Sequence, residues 1–405
     1  MMDAGARERE GRRRKPPARV SWKQLWRSQR VRGRIYQIVA VALVAAVIVF
    51  MASNASRSMA AKGIRFGFDF LYNEANFTLA ESLIPFQPSD SFLLAFIAGL
   101  GNTLWVSFVS LIFATVLGVL LGMARLSSNW LISRGAAAYV EIFRNTPQLM
   151  QIVFWYTLFT LLPGNRQAWH GLDWWFLSNR GLTLAWPADR LAFTLVLLAL
   201  AIGMAGVYVF SKWADQRQRR TGHSLPVLRL SALGLAAVIL LTWLATGAPT
   251  AIEHPKLTGF NFRGGITLSP EFLALSLGLV LYFGAYISEI VRSGIQSVGK
   301  GQIEAGRAVG LHGGELYRHI ILPQALRVIV PPVTAQYISL VKTSALGVAV
   351  GYPELFNVSN SIMTLSGHTL ECVIIMGVVY LLLALTVSTL MNAFNKAVAL
   401  RGATR

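Results

Sequence analysis

The sequence is poor in charge and almost without cysteine. Only 14% of its 405 residues are charged, while 54% are hydrophobic. A soluble domain of that size needs more polar surface to face water, so the composition places the chain in a bilayer. The single cysteine, Cys372, excludes an intrachain disulfide and a cysteine-built metal site, and reads as a small buried residue. The six histidines show no ligand spacing, and no Ser/His/Asp arrangement or paired carboxylate suggests covalent chemistry. Acidic residues are also scarce, with 18 Asp+Glu against 37 Lys+Arg. That excess suits nucleic acid, anionic lipid or membrane topology. No nucleic-acid-reading module or aromatic-interleaved basic surface accompanies it, so nucleic acid is excluded as a partner.

What the chain does have is a series of long apolar runs. A spanning helix needs about 20 mostly apolar residues. Eight segments qualify, near 36–52, 92–123, 136–162, 191–210, 228–246, 270–292, 330–350 and 371–394. With the N-terminus inside, 27 of the 37 Lys+Arg fall on the inner side and eight on the outer side. Basic residues favour the cytoplasmic side, so this bias puts both termini in the cytoplasm and accounts for the charge excess. The arm 1–35 reads as a disordered, lipid-facing anchor. Ser53, Asn54 and Ala55 resemble a signal-peptide cleavage site after a short apolar run. The basic arm is too long for an ordinary signal peptide, which favours a retained first helix.

The spans differ in kind. The first span and the pair within 191–246 are plain Leu/Ala/Val helices, whereas the other five carry polar and glycine-containing stretches. The organisation follows as a basic arm 1–35, an accessory helix and outer loop 36–91, a first core part 92–162, an insertion 163–269 with two accessory helices, a second core part 270–394 and a tail 395–405. The outer loops 163–190 and 247–269 are rich in Trp, Gly and Pro, and Trp169, Trp174, Trp175 and Trp186 suit an interfacial belt.

The inner loop 293–327 carries the densest signal. Residues 302–309 form a short helix with Ile303, Gly306 and Val309 along one side, Glu304 near its positive end and Gly310 as its stop. A second short helix follows, and Pro323 restarts the chain toward the next span. Beside it, Gly294 to Gly301 nearly matches a phosphate-binding loop. It has Gly301 where a hydroxyl residue would hold Mg²⁺, and a membrane helix precedes it where a strand is required, so it binds no nucleotide.

Glu304, Ala305, Gly306, Gly310, Ile320, Leu322 and Pro323 together resemble the EAA loop of ABC importer permeases, with Gly306 at a position that is alanine in the family pattern. Gly101 to Leu104, Tyr139 to Pro147, Ile338 to Ser344 and Gly351 to Leu355 are similar to the polar amino-acid permease family, and the added helices to its general L-amino-acid type. The resemblance implies an all-α polytopic fold with about eight transmembrane helices, a five-helix type I importer permease core plus three accessory helices. It implies a bacterial inner-membrane subunit that carries amino acids while ATP and Mg are handled on a partner ATPase dimer. It also implies a periplasmic amino-acid-binding protein and a second, homologous permease, so that the pair is a heterodimer.

A charge within a bilayer is costly and marks function by default. Glu141 and Arg144 would share one helix face, and Pro147 would bend the third span and free a carbonyl near Asn145 and Thr146. Lys342 sits beside Thr343 and Ser344 with no charged neighbour in its own helix. These residues form the expected substrate pathway, with Lys342 meeting a substrate carboxylate. A structural ion pair for Glu141 and Arg144, or a snorkelling Lys342, is the plainer alternative. Glu289 and Glu371 lie near span ends, where water reaches them, and Gly118 and Gly122 have the spacing of a close helix contact. The rival reading, an ion-coupled secondary transporter, calls for inverted repeats and midplane carboxylates that the sequence does not display.

Overall fold

The computed structural model describes residues 29–61, 66–222 and 225–398. Most of the basic arm and the end of the tail lie outside the described residues. In the unit that ends at Phe68, helix α1 (Gln29–Ala61) runs unbroken through Ser53, Asn54 and Ala55. Its apolar residues Ile38, Val41, Ile48 and Phe50 are exposed, as suits a helix surrounded by lipid.

The second unit starts at Asp69 with a short helical turn, Asp69–Tyr72, and its first long helix is α2 (Phe92–Ala124). Ser91 caps it, its hydroxyl accepting from the Leu94 N–H at 3.3 Å. The segment expected as one span, 136–162, is two helices, α3 (Trp130–Asn145) and α4 (Gln148–Thr160), separated by extended backbone at Thr146 and Pro147. Pro147 therefore breaks this segment rather than bending it. Helices α5 (Arg190–Thr221) and α6 (Val227–Ala245) form an antiparallel pair, followed by α7 (Pro270–Gln296). Then come the short helices α8 (Lys300–Ala308) and α9 (Gly313–Leu316), a wide turn through Tyr317–Ile321, and α10 (Leu322–Thr343). A tight helical turn, Ser344–Val350, leads to α11 (Leu355–Ser366) and α12 (Thr369–Val398). Among the described residues, seven helical segments are long and apolar enough to cross a membrane.

The outer loops of the insertion hold short strands: β1 (Trp169–Gly171), β2 (Trp175–Ser178), β3 (Gly181–Leu184), β4 (Trp186–Pro187), β5 (Ile252–Glu253), β6 (Lys256–Thr258), β7 (Asn261–Arg263) and β8 (Ile266–Leu268). Four of them make an antiparallel sheet in the order β1-β2-β3-β8, which ties the first loop to the residues that lead into α7.

The core is centred where α2 meets α7. A Cβ on Gly118 would stand 2.6 Å from Ile287, and one on Gly122 would stand 2.9 Å from both Val291 and the Ser288 carbonyl. Only residues without a side chain let the two helices approach this closely. The Gly118 and Gly122 spacing is therefore a packing seam. Val106, Ile152, Leu275, Leu279, Phe283 and Leu340 fill the space around it. A second cluster joins Phe70, Phe92, Phe96, Leu355, Val358 and Ile362, and includes buried Cys372 as expected.

Candidate coupling loop and translocation site

The α8–α9 segment is a small folded unit on the chain between two spans. Helix α8 ends at Gly310, whose φ of +88° suits a residue with no Cβ. The Gly310 N–H donates to the Arg307 carbonyl and the Leu311 N–H to the Gly306 carbonyl, both at 3.0 Å, which is the glycine stop in its full two-bond form. Gly306 is buried, and a Cβ there would lie 2.6 Å from Leu316 and 3.3 Å from Ile320. Glycine at this position thus lets α8 lie against the turn that follows it. Glu304, Ala305 and Arg307 are exposed on the other side. Leu322 and Pro323 stand in the first turn of α10, directly after the wide helical turn Tyr317–Ile321.

Two details differ from the sequence reading. Helix α8 starts at Lys300, so Glu304 falls in its second turn, away from the positive end. Val309 is 77% exposed and leaves the packed side to Ile303 and Gly306, because the chain is already unwinding there.

The break between α3 and α4 is stabilised by a residue that the sequence reading did not single out. Pro147 has no N–H to offer the Phe143 carbonyl, which lies four residues before it. The buried Gln151 amide fills that place, donating to the Phe143 carbonyl at 2.9 Å and the Thr146 carbonyl at 3.0 Å. Its signal was available as a glutamine one helical turn beyond a proline. Thr146 turns its hydroxyl back to the Ile142 carbonyl at 2.8 Å, and Asn145, the last residue of α3, is exposed.

Glu141 and Arg144 do not form the expected pair. Glu141 is exposed, whereas the Arg144 guanidinium lies 3.9 Å from Glu289 and 5.0 Å above the Tyr286 ring. Glu289 also meets Arg125 and Arg292, so three arginines from α3, α7 and the end of α2 converge on one carboxylate. The expectation of a solvated Glu289 is corrected by this tertiary contact, as is that for Glu371. The latter is fully buried, with its carboxylate 3.1 Å from His368, whose ring stacks on Phe70 at 4.4 Å.

On α10, Lys342 is exposed, and among the described residues no acid lies within ion-pair distance of it. Thr343 donates to the Ser339 carbonyl at 2.9 Å. Ser344 is fully buried and donates to the Val341 carbonyl at 2.7 Å, so its hydroxyl is committed to the backbone. Helix α4 packs against the Ser344–Val350 turn, which brings the α3–α4 break and the Lys342 end of α10 to neighbouring elements.

Next to this turn, two of the motifs that carried the family resemblance lock together. Asn102 accepts from the Leu83 N–H at 3.2 Å and donates to the Glu81 and Pro353 carbonyls at 2.9 Å each. The Thr103 hydroxyl accepts from the Leu355 N–H at 2.9 Å. Glu354 caps α11 by accepting from the Phe356 and Asn357 N–H groups, both at 2.7 Å.

Seven span-length helical segments among the described residues define a multi-pass helical membrane protein. Residues 114–400 match the family described as "Binding-protein-dependent transport system inner membrane component". The chain belongs to this family, and is a transport component of the inner membrane rather than an enzyme. It is 41% identical to the permease protein YhdX of Escherichia coli, with 91% of this chain and 95% of that one covered. It is 38% identical to the general L-amino acid transport system permease protein AapQ of Rhizobium johnstonii, over 91% and 92%. It is 37% identical to the glutamate/glutamine/aspartate/asparagine transport system permease protein BztB of Rhodobacter capsulatus, over 92% and 95%.

Proposed function

We infer that this chain, a permease component of a binding-protein-dependent ABC importer of amino acids, forms one half of a translocation pathway. A homologous but different permease supplies the other half. Two ATPase subunits, which hold the ATP and Mg, grip the α8–α9 segments from the cytoplasm, and both termini of this chain lie on that side. A periplasmic amino-acid-binding protein delivers substrate to the outer face. Closure of the ATPases pulls on the coupling segment Glu304 to Pro323, and α10 follows because it continues directly from that segment.

The observation that carries this reading is the exposed face of α8. Glu304, Ala305 and Arg307 point away from a helix whose other side is held by Gly306 against Leu316 and whose end is fixed by Gly310. A protruding, self-supported helix can transmit a push, because its position is set by its own stops and packing. In the assembled complex, a cysteine at Ala305 should crosslink to an ATPase subunit, with a yield that changes on adding nucleotide. Labelling of the same cysteine only from the outer side would overturn the reading. Uptake abolished by an uncoupler in a preparation without ATPase would favour an ion-coupled secondary transporter.

The substrate pathway runs past Lys342 and Thr343 and the Glu141 to Thr146 break. Lys342 supplies an uncompensated cation for a substrate carboxylate. The family relatives named for L-amino acids and for glutamate, glutamine, aspartate and asparagine support amino acids as the cargo.

A further inference from the structure

The accessory pair α5 and α6 packs on itself and leaves apolar side chains such as Leu197, Leu233 and Leu241 exposed. Its inner geometry is uneven. At Gly203 the helices touch, since a Cβ there would meet Leu235 at 2.6 Å. At Gly206 and Gly234 they part, and a Cβ at either position would find nothing within 4 Å. The result is a cleft of about 520 Å³, lined by Ile202, Gly206, Val207, Phe210, Gly234 and Val238. The Ser231 hydroxyl is buried within it and has no hydrogen-bond partner.

Along α5 the cleft-lining residues recur every three or four positions, through 203, 206, 207 and 210. Continued at the same period, that stripe reaches 213, 217 and 220, which line a second, smaller hollow of about 160 Å³ with Gln216 and Thr221. Arg217 and Arg220 are therefore placed about 10 to 15 Å beyond Phe210 along the helix axis. Arg217 lies 5.5 Å from the Trp213 ring. Between residues 211 and 230 the sequence has five basic residues, Lys212, Arg217, Arg219, Arg220 and Arg229, and a single acidic one, Asp215.

We propose that the α5–α6 hairpin holds an anionic glycerophospholipid of the inner leaflet, with an acyl chain in the Gly206–Gly234 cleft and the phosphate at Arg217 and Arg220. An apolar slot with guanidiniums farther along the same helix face matches the two halves of such a lipid in order and in separation. Basic pockets between helices at the cytoplasmic face select anionic headgroups, at roughly a five-fold gain in binding for each charge near the surface. A zwitterionic lipid would enter the same slot without that gain. The inner-leaflet assignment rests on the orientation given under the proposed function.

The test uses the assembled complex in phosphatidylcholine vesicles that contain a minority of phosphatidylglycerol with a photoreactive acyl chain. Crosslinks should concentrate on residues 202–210 and 230–238, and exceed those from a photoreactive phosphatidylcholine. Arg217→Gln with Arg220→Gln should erase that excess. Gly206→Leu, which fills open space, should remove the crosslinks in the cleft while leaving the arginines in place. Equal labelling by both lipids, labelling unaltered in these variants, or crosslinks to a neighbouring permease chain at the cleft would overturn the proposal. Orientation is read separately by an impermeant maleimide on Gln218→Cys. Reaction only from the outer side would overturn the orientation, and with it the leaflet, while the charge dependence of crosslinking is read independently of sidedness.

Discussion

The side-chain amide of Asn102 donates to the main-chain carbonyl of Pro353 at 2.9 Å, joining α2 to the turn ahead of α11 across 251 positions of sequence. The same side chain bonds Glu81 and Leu83, so one buried amide pins three segments. Asn102→Leu keeps the volume but leaves these backbone groups unpaired. The expected cost is about 2–4 kcal/mol, since buried unpaired groups keep their full desolvation penalty. It would be read as a lower melting temperature of the purified complex.

Gln151 makes a second prediction. Gln151→Leu removes the side-chain donor that replaces the missing Pro147 N–H, and strands the Phe143 and Thr146 carbonyls. A loss of about 1–3 kcal/mol is expected. Replacing Pro147 by alanine in the same chain should recover part of it, because an N–H returns to the Phe143 carbonyl. A double-mutant cycle on melting temperature measures that recovery.

The α2–α7 seam gives a steric prediction. Gly118→Val places atoms on Ile287, which a single Cβ would already approach to 2.6 Å, and forces the helices apart. About 1–3 kcal/mol of stability should be lost. Ile287→Ala added to Gly118→Val should restore some of it, whereas the same change in the wild-type chain should only destabilise.

Lys342 is the functional test. In a complex that still assembles and hydrolyses ATP, Lys342→Met should raise the substrate concentration for half-maximal uptake by about tenfold or more, the worth of a charge-assisted hydrogen bond. Lys342→Arg should retain more uptake than Lys342→Met. Wild-type uptake in the Met variant would remove Lys342 from the pathway.

Glu81 sets a pH dependence. Burial holds its carboxyl above the ordinary value of 4.5, with Ser269 hydrogen bonds opposing and the Glu271 charge adding to the rise. The folded chain therefore keeps a proton that the unfolded chain releases. Stability conferred in this way is present at low pH and falls as pH rises from 4.5 through the folded pKa. Glu81→Gln should flatten that part of the melting-temperature profile and raise the melting temperature at neutral pH.

The fold of the α8–α9 segment was legible in the sequence because its determinants are local. Gly310 stops α8, and Pro323 begins α10, through backbone rules that involve only near neighbours. The acids were less legible. Glu289 and Arg292 are three apart on one helix, but Arg125 and Arg144 reach the same carboxylate from other elements. Glu371 appears terminal in sequence, yet it is buried beneath the Phe70–His368 stack. Ser344 looked available beside Lys342, but in the turn that ends α10 its hydroxyl points inward to Val341.

The sequence alone determined what depends on transfer from water and on neighbouring residues: the long apolar runs and the glycine stop. Tertiary structure decided which polar groups were buried and with whom. Partners such as Asn102 and Pro353, or Arg144 and Glu289, are chosen by how helices pack, and the close approach at Gly118 and Gly122 sets that packing. A hydrogen bond between residues so far apart in the chain leaves no periodic mark in either segment, because its geometry exists only after the helices have met.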